Sequence, residues 1–273
     1  MVDSSAHVVA KVPEADARQV SMSNRLARAA QGLNLGEKRL VAIGLAQTDS
    51  VPAYKLAIGA NTGWKMRVSA LAFAETFGIT PQSAYEQLKA ASEKLFERYV
   101  RYEELVRGKP KERKFRWVSG VIYADGDGYV ELNFSPEIAP HLLGLSKHFT
   151  TYKLRQAASF DSVYAWRLFE LLKSWQSTGL YAPTIEEFHE AMEAPPSCRK
   201  DFKGLRVRVI EPALEAIRLK AGVIIEWAPV RSGGRRVVGL EFRFSPDPQG
   251  RLDIEESIVL GDHLLPAPSD IDR

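Results

Sequence analysis

A chain of 273 residues has room for one large domain or two ordinary ones. With 45% hydrophobic and 26% charged residues it has the balance of a folded globular protein, and no apolar run approaches the ~18 residues of a membrane span. The single cysteine, Cys198, excludes an internal disulfide and a cysteine-only zinc site.

The opening stretch MVDSSAHVVAKVPEADARQV lacks the basic start and apolar core of a secretory signal, so a cytoplasmic location is expected. It has no apolar period and contains Pro13, so residues 1–22 read as a flexible arm. From Ser23 the spacing turns helical through Leu26, Ala29, Ala30, Leu33, Leu40, Ile43 and Leu45. Asn24 or Ser23 is the cap, there is a break near Asn34-Leu35-Gly36, and Asp49-Ser50-Val51-Pro52 ends the segment. Trp64 to Val68 alternates as a short strand. Ser69 then caps a short helix, Ala70 to Phe77. Gly78 supplies a left-handed turn, and Thr80 with Pro81 opens a long helix to about Arg98. Helix, glycine turn and longer helix form a helix-turn-helix pattern. Strand-like runs follow at Tyr99–Val106, Phe115–Tyr123 and Tyr129–Phe134, separated by RGKPKER and by Asp125-Gly126-Asp127-Gly128, a strong hairpin signal.

The plan then repeats. Asp161 or Ser162 opens a helix bearing Trp166, Leu168, Phe169, Leu171 and Leu172. Thr184 with Glu187 forms a capping box for Ile185 to Met192. A long helical segment, roughly Lys200 to Leu219, precedes strands at Val223–Val230 and Arg236–Phe244. Pro212 must kink or split that segment. The expected fold is α+β: two tandem winged-helix domains in pseudo-two-fold arrangement, residues 23–150 and 151–246. Residues 247–273 follow as an acidic flexible tail, where Asp247, Asp253, Glu255, Glu256, Asp262, Asp270 and Asp272 face only Arg251 and Arg273.

The net charge of +3 is therefore spread unevenly, and the body is more basic than the overall pI near 8.9 suggests. A basic body suits a polyanionic partner, nucleic acid first; ordinary solubilising charge explains the composition equally well. On the helix from Pro81, Ala84, Leu88, Ala91 and Leu95 share the core face, with Gln82, Glu86 and Lys89 opposite and Tyr85 on the flank. Gln82 can bond adenine bidentately and Glu86 can accept from cytosine N4, although mixed surface charge on an exposed helix is the plainer reading. In the second half, Phe202, Leu205 and Val209 make a buried stripe. Arg199, Lys200, Lys203 and Arg206 project away from it, with Arg208 nearby, a one-sided cluster suited to guanine O6 and N7. Arg107, Lys109, Lys111, Arg113, Lys114 and Arg116 crowd the first hairpin, and Arg231, Arg235 and Arg236 flank the second, as phosphate-holding wings.

These stretches resemble the iteron-binding plasmid replication initiators of the Rep_3 type, from about Asn24 to Phe244. The resemblance is carried by Asn24-Arg25-Leu26 through Leu35-Gly36-Glu37-Lys38-Arg39, by Phe77-Gly78-Ile79-Thr80 and the helix after it, by Phe149 to Leu154, by Tyr164 to Glu170, and by Asp201-Phe202-Lys203. It implies a monomer whose two domains grip direct repeats of double-stranded plasmid origin DNA. It also implies a dimer, joined through the first domain, that represses its own gene at an operator inverted repeat. The partners implied are a host replication initiator and the replicative helicase, with no membrane. Gly204-Leu205 stands where such proteins run arginines, so base preference differs and Arg206 is the substitute.

No enzyme, cofactor or metal is expected. His7, His141, His148, His189 and His263 give no His-hydrophobe-His pair for a rolling-circle relaxase. Gly59 to Lys65 is too short for a phosphate loop. A winged-helix transcriptional repressor and an interaction module that binds no DNA are the rival readings.

Overall fold

The computed structural model describes residues 18–46, 64–124, 126–142, 148–234 and 236–246. The arm through residue 17, the Asp49–Pro52 terminator, Asp125, Arg235 and the acidic tail lie outside the described residues.

Gln19–Ser23 is a strand, β1, and not the end of a free arm; it pairs antiparallel with a strand about 130 residues later. The reason is burial: Val20 and Met22 alternate into the core, and Ser21 meets Thr151 at 2.8 Å on the outside. Ser23 is the cap of α1 (Asn24–Arg28), its hydroxyl accepting from the Leu26 N–H. A left-handed Gly32 breaks the chain before α2 (Leu35–Ala46). Asn34 and Glu37 bond each other's backbone N–H there, a reciprocal cap on the helix.

β2 (Trp64–Ser69) leads into α3 (Ala70–Phe77) and α4 (Pro81–Phe96). The turn between them uses Gly78 at φ 64° and the Thr80 cap, as the sequence requires. The expected RGKPKER spacer is a correction. Tyr99–Val106 (β3) turns at Arg107-Gly108 and pairs with Lys109–Arg116 (β4), both turn residues having positive φ as a tight hairpin turn demands. The expected run Phe115–Tyr123 is in fact two strands. Fully buried Trp117 redirects the chain from β4 into β5 (Val118–Ala124), its indole N–H donating to the Gln31 carbonyl at 2.8 Å. β5 pairs with β6 (Tyr129–Phe134), and β6 with β2. The wing of the first unit is thus β5–β6, and β3–β4 is an extra two-stranded ribbon inserted before it.

α5 (Ala139–Leu142) precedes β7 (Phe149–Lys153), the partner of β1, and α6 (Leu154–Ala158). The second unit holds α7 (Val163–Ser174, capped by Ser162), β8 (Leu180–Tyr181), α8 (Ile185–Met192, with its capping box) and α9 (Pro196–Arg199). Next come α10 (Phe202–Leu205), a π-turn (Arg206–Ile210) and α11 (Glu211–Ala221), and last β9 (Val223–Ser232) and β10 (Arg236–Pro246). Pro212 neither splits the segment nor ends it. Leu205, Arg206, Ile210 and Glu211 all keep helical dihedrals, and the Glu211 N–H bonds the Arg206 carbonyl. The one-residue widening just before the proline accommodates a residue that has no N–H and whose ring crowds the preceding turn.

Both sheets have the same order. The first runs β2-β6-β5 and the second β8-β10-β9, so in each the strand before the helix-turn-helix lies beside the last strand. The two winged-helix units share one plan, and a single contiguous core runs through both.

Candidate nucleic-acid interface

The second helix of the first helix-turn-helix, α4, buries Ala84, Leu88, Ala91, Ser92 and Leu95 and turns Gln82 and Glu86 to solvent. Tyr85 and Lys89 are half-buried, and the Lys89 ammonium lies 5.5 Å from the ring of Tyr123 on β5. Helix and wing are therefore stitched together on the side where Lys89 sits. Gln82 and Glu86 belong to the exposed N-terminal half, the part of such a helix that enters a major groove.

The second cluster is less uniform than its sequence. Asp201 caps α10, accepting from the Lys203 and Gly204 N–H groups at 3.0 and 2.9 Å, so Lys203 stands exposed in the first turn beside exposed Lys200. Arg199 is tied down: its guanidinium donates to the Ala194 and His189 carbonyls and pairs with Glu190, closing the end of α8. Arg208 folds back, donating to the buried Cys198 Sγ at 3.5 Å. Gly204 makes room for this, since a Cβ there would come within 2.5 Å of the Arg208 guanidinium. Arg206 is exposed but lies 3.4 Å from Glu211, so the expectation of a face without an acid is corrected: the π-turn brings residue 211 beside residue 206. Val207 is also exposed here.

The basic ribbon divides. Cross-strand register places Lys109, Lys111 and Arg113 on the face that also carries Val100, Tyr102 and Phe115, whereas Lys114 and Arg116 are on the opposite face. Arg113 is held by Glu104 at 2.5 Å, and Arg116 donates to the Phe96 carbonyl at 2.5 Å and pairs with Glu97 at 3.2 Å, anchoring the end of α4. Arg107 sits in the exposed turn. In the second wing Arg231 and Arg236 are exposed on either side of Gly233-Gly234.

Sequence reasoning missed what holds the two units together. Lys38 of α2 and Glu170 of α7 form a fully buried ion pair at 2.6 Å. Lys38 also donates to Gln31 Oε1 at 2.7 Å. Tyr152 donates to the other Glu170 oxygen at 2.8 Å, and Trp166 Nε1 donates to the Tyr152 hydroxyl at 3.1 Å. Buried Arg167 reaches the carbonyls of Ala27, Ala29 and Ala191. Glu193, left-handed at φ 50°, accepts from the Gln31 and Gly32 N–H groups. Desolvation pulls the Lys38 ammonium down to about 8, and the nearby Arg167 charge adds to the effect against the opposing pull of Glu170. Burial raises the Tyr152 phenol. The only sequence signal was the presence of Glu37-Lys38 and Arg167–Glu170 in otherwise apolar helical surroundings.

Two winged-helix units, each presenting an exposed helix beside a hairpin, define a tandem winged-helix DNA-binding protein. The profile described as Initiator Replication protein, WH1 matches residues 19–173, and that described as Initiator Rep protein, WH2 matches residues 184–244. The chain belongs to the initiator replication protein family. It is 25% identical over 225 residues to an uncharacterized 27.6 kDa protein of Escherichia coli, covering 79% of this chain and 91% of the relative. It is 23% identical over 254 residues to the PI protein of Escherichia coli, covering 82% and 81%. Its fold is similar to that of the Pi initiator protein crystallised in complex with iteron DNA, with a TM-score of 0.69 and 22% identity over 85% of this chain and 98% of that one. Among the described residues no helix is long and apolar enough to cross a membrane.

Proposed function

We propose that this chain initiates plasmid replication by binding direct repeats of its origin as a monomer, with both winged-helix units engaged on one duplex. The observation that carries the reading is a pair of helical segments with exposed polar faces, α4 and the run from α10 through the π-turn, on two units joined by a buried polar network. Such a connection sets the spacing of two reading heads before DNA arrives, which lowers the ordering cost of binding. The fold it shares with an initiator solved on iteron DNA supports the same reading.

In this scheme Gln82 and Glu86 read bases, with Tyr85 and Lys89 at the flank, while Lys200, Lys203 and Arg206 read from the second unit. Arg107, Lys109, Lys111, Arg231 and Arg236 hold phosphates, joined by Arg235. Arg113, Arg199 and Arg208 first position neighbouring protein groups, each already having a protein partner. The role is one of binding and not of catalysis, exercised in the cytoplasm of a bacterial host. A dimer joined through the first unit represses the protein's own gene at an inverted repeat, and the host initiator and replicative helicase are recruited to the bound origin.

The test is to place the gene with its native upstream DNA on a vector that lacks an origin. Stable maintenance in a permissive host, lost when the coding frame is interrupted, is expected. Failure of maintenance while the purified protein still binds and represses that DNA would leave a repressor, not an initiator.

A further inference from the structure

We infer that Val207 reads the 5-methyl group of thymine, a specificity contact made through apolar surface at the centre of the second unit's cationic face. The inference rests on the proposed DNA contact of this segment and deepens it.

From Phe202 the chain runs through α10, the π-turn and α11 as one helical segment. Gly204, Leu205, Val209 and Ile210 are buried, and Lys203, Arg206, Val207 and Arg208 are exposed. Residues three and four apart share a helix face, so Val207 follows Lys203 by one turn with Arg206 beside it. It is 47% exposed and is the apolar member of that exposed set. The π-turn extends the pattern. The widening that sets Glu211 3.4 Å from Arg206 is an offset of five residues, and the same offset puts exposed Pro212 next in line after Val207. The result is a small apolar island framed by cations.

Folding does not account for the island. Valine loses side-chain freedom in a helix and is a poorer helix former than the lysine and arginines around it. The buried positions of this turn are held by Leu205, Val209 and Ile210. Phosphate does not account for it either, because an aliphatic surface offers an anion no hydrogen bond. A duplex presents one apolar group in its major groove, the thymine 5-methyl, and a small aliphatic side chain in the first turns of a recognition helix is suited to meet it. Lys203 and Arg206, held by neighbouring bases or phosphates, would press Val207 against the groove floor. An apolar protein partner is the poorer occupant: two small side chains fall well short of the few hundred Å² of a docking patch. Covering one methyl group is worth about fourfold in affinity.

The experiment begins with duplexes that the full-length protein selects from a randomised pool. Each thymine in the protected stretch is then replaced in turn by deoxyuridine, which lacks only the 5-methyl group. The wild type is expected to lose about fourfold at one or two thymines, the worth of one methyl contact. Val207→Ala should bind the unmodified duplex about fourfold more weakly and show no further loss at one of those thymines. Its salt dependence should match that of the wild type, since no phosphate contact is removed. If Val207→Ala does not fold, Val207→Thr, which keeps the shape, takes its place. A wild type indifferent to deoxyuridine at every thymine would overturn the inference. So would a variant whose losses match the wild type's at each position, or one whose salt slope falls by about one unit, the mark of a lost phosphate. A wild type that selects no sequence at all would count against the replication reading itself, whereas selection followed by a flat deoxyuridine scan removes the methyl contact alone.

Discussion

Glu170→Leu should be among the most damaging single substitutions in the molecule. It removes the carboxylate that accepts from Lys38 at 2.6 Å and from Tyr152 at 2.8 Å and lies 3.5 Å from Arg167. Lys38 and Arg167 are left as two buried cations without the carboxylate they bond, Glu193 acting on Lys38 only at longer range, and breaking such a pair from one side costs about 3–5 kcal/mol. Lys38→Met is milder, about 1–3 kcal/mol, because Glu170 keeps Tyr152 and Arg167 as partners. In the double variant the lone buried ammonium is gone, so it should be more stable than Glu170→Leu alone. Urea denaturation of all four proteins closes the cycle, and a double variant whose loss equals or exceeds the sum of the single losses would refute the coupling. Function supplies a second readout. Loosening the junction should weaken binding to a full origin repeat by tenfold or more while sparing a half-repeat read by one unit.

Lys203→Ala and Arg206→Ala should each reduce specific binding more than non-specific binding, by about 1–3 kcal/mol in competition assays, whereas equal loss on any duplex would make them phosphate contacts. Gly44→Ala should destabilise the first unit by about 1–3 kcal/mol, since a Cβ there meets Met66 Sδ at 1.8 Å between α2 and β2; an unchanged urea midpoint would show that Met66 simply moves aside. Because burial lowers the Lys38 pKa to about 8 from 10.5, the unfolded chain binds more protons between those values. The Lys38 contribution to stability is therefore smallest below pH 8 and grows as pH rises toward 10.5; equal slopes for wild type and Lys38→Met over pH 8–10 would refute this.

What the sequence revealed was local. Ser69, Gly78, Thr80 and the Thr184–Glu187 box are short-range capping and turn chemistry, and the helices follow them. β1 was hidden because five residues with two apolar positions look like a tail until β7 arrives to pair with them. β4 was hidden because KPKERKFR has charged residues and a proline where strand formers are expected. Its strand character comes from the Arg107-Gly108 turn and from Phe115 packing on the body. The Lys38–Glu170 pair spans 132 residues, and no periodicity announces a contact of that kind. The second basic cluster was visible as composition, but which cations were already engaged depended on the π-turn and on Gly204.

Five basic residues on one face would clamp any duplex through phosphates. All five are exposed, but Arg199 and Arg208 are engaged by protein groups, which leaves Lys200, Lys203 and Arg206 as the less committed cations of this segment, and Arg206 has Glu211 beside it. An exposed pair of this kind is worth at most about 1 kcal/mol, whereas a bidentate arginine–guanine contact gains about 1–3. Exchange of Glu211 for guanine is thus favourable, while exchange for a single phosphate gains little and leaves the Glu211 carboxylate next to another anion. If this segment contacts the duplex as proposed, the acid that weakens the cluster as a clamp sharpens it as a reader, and the widened turn is what places Glu211 beside Arg206.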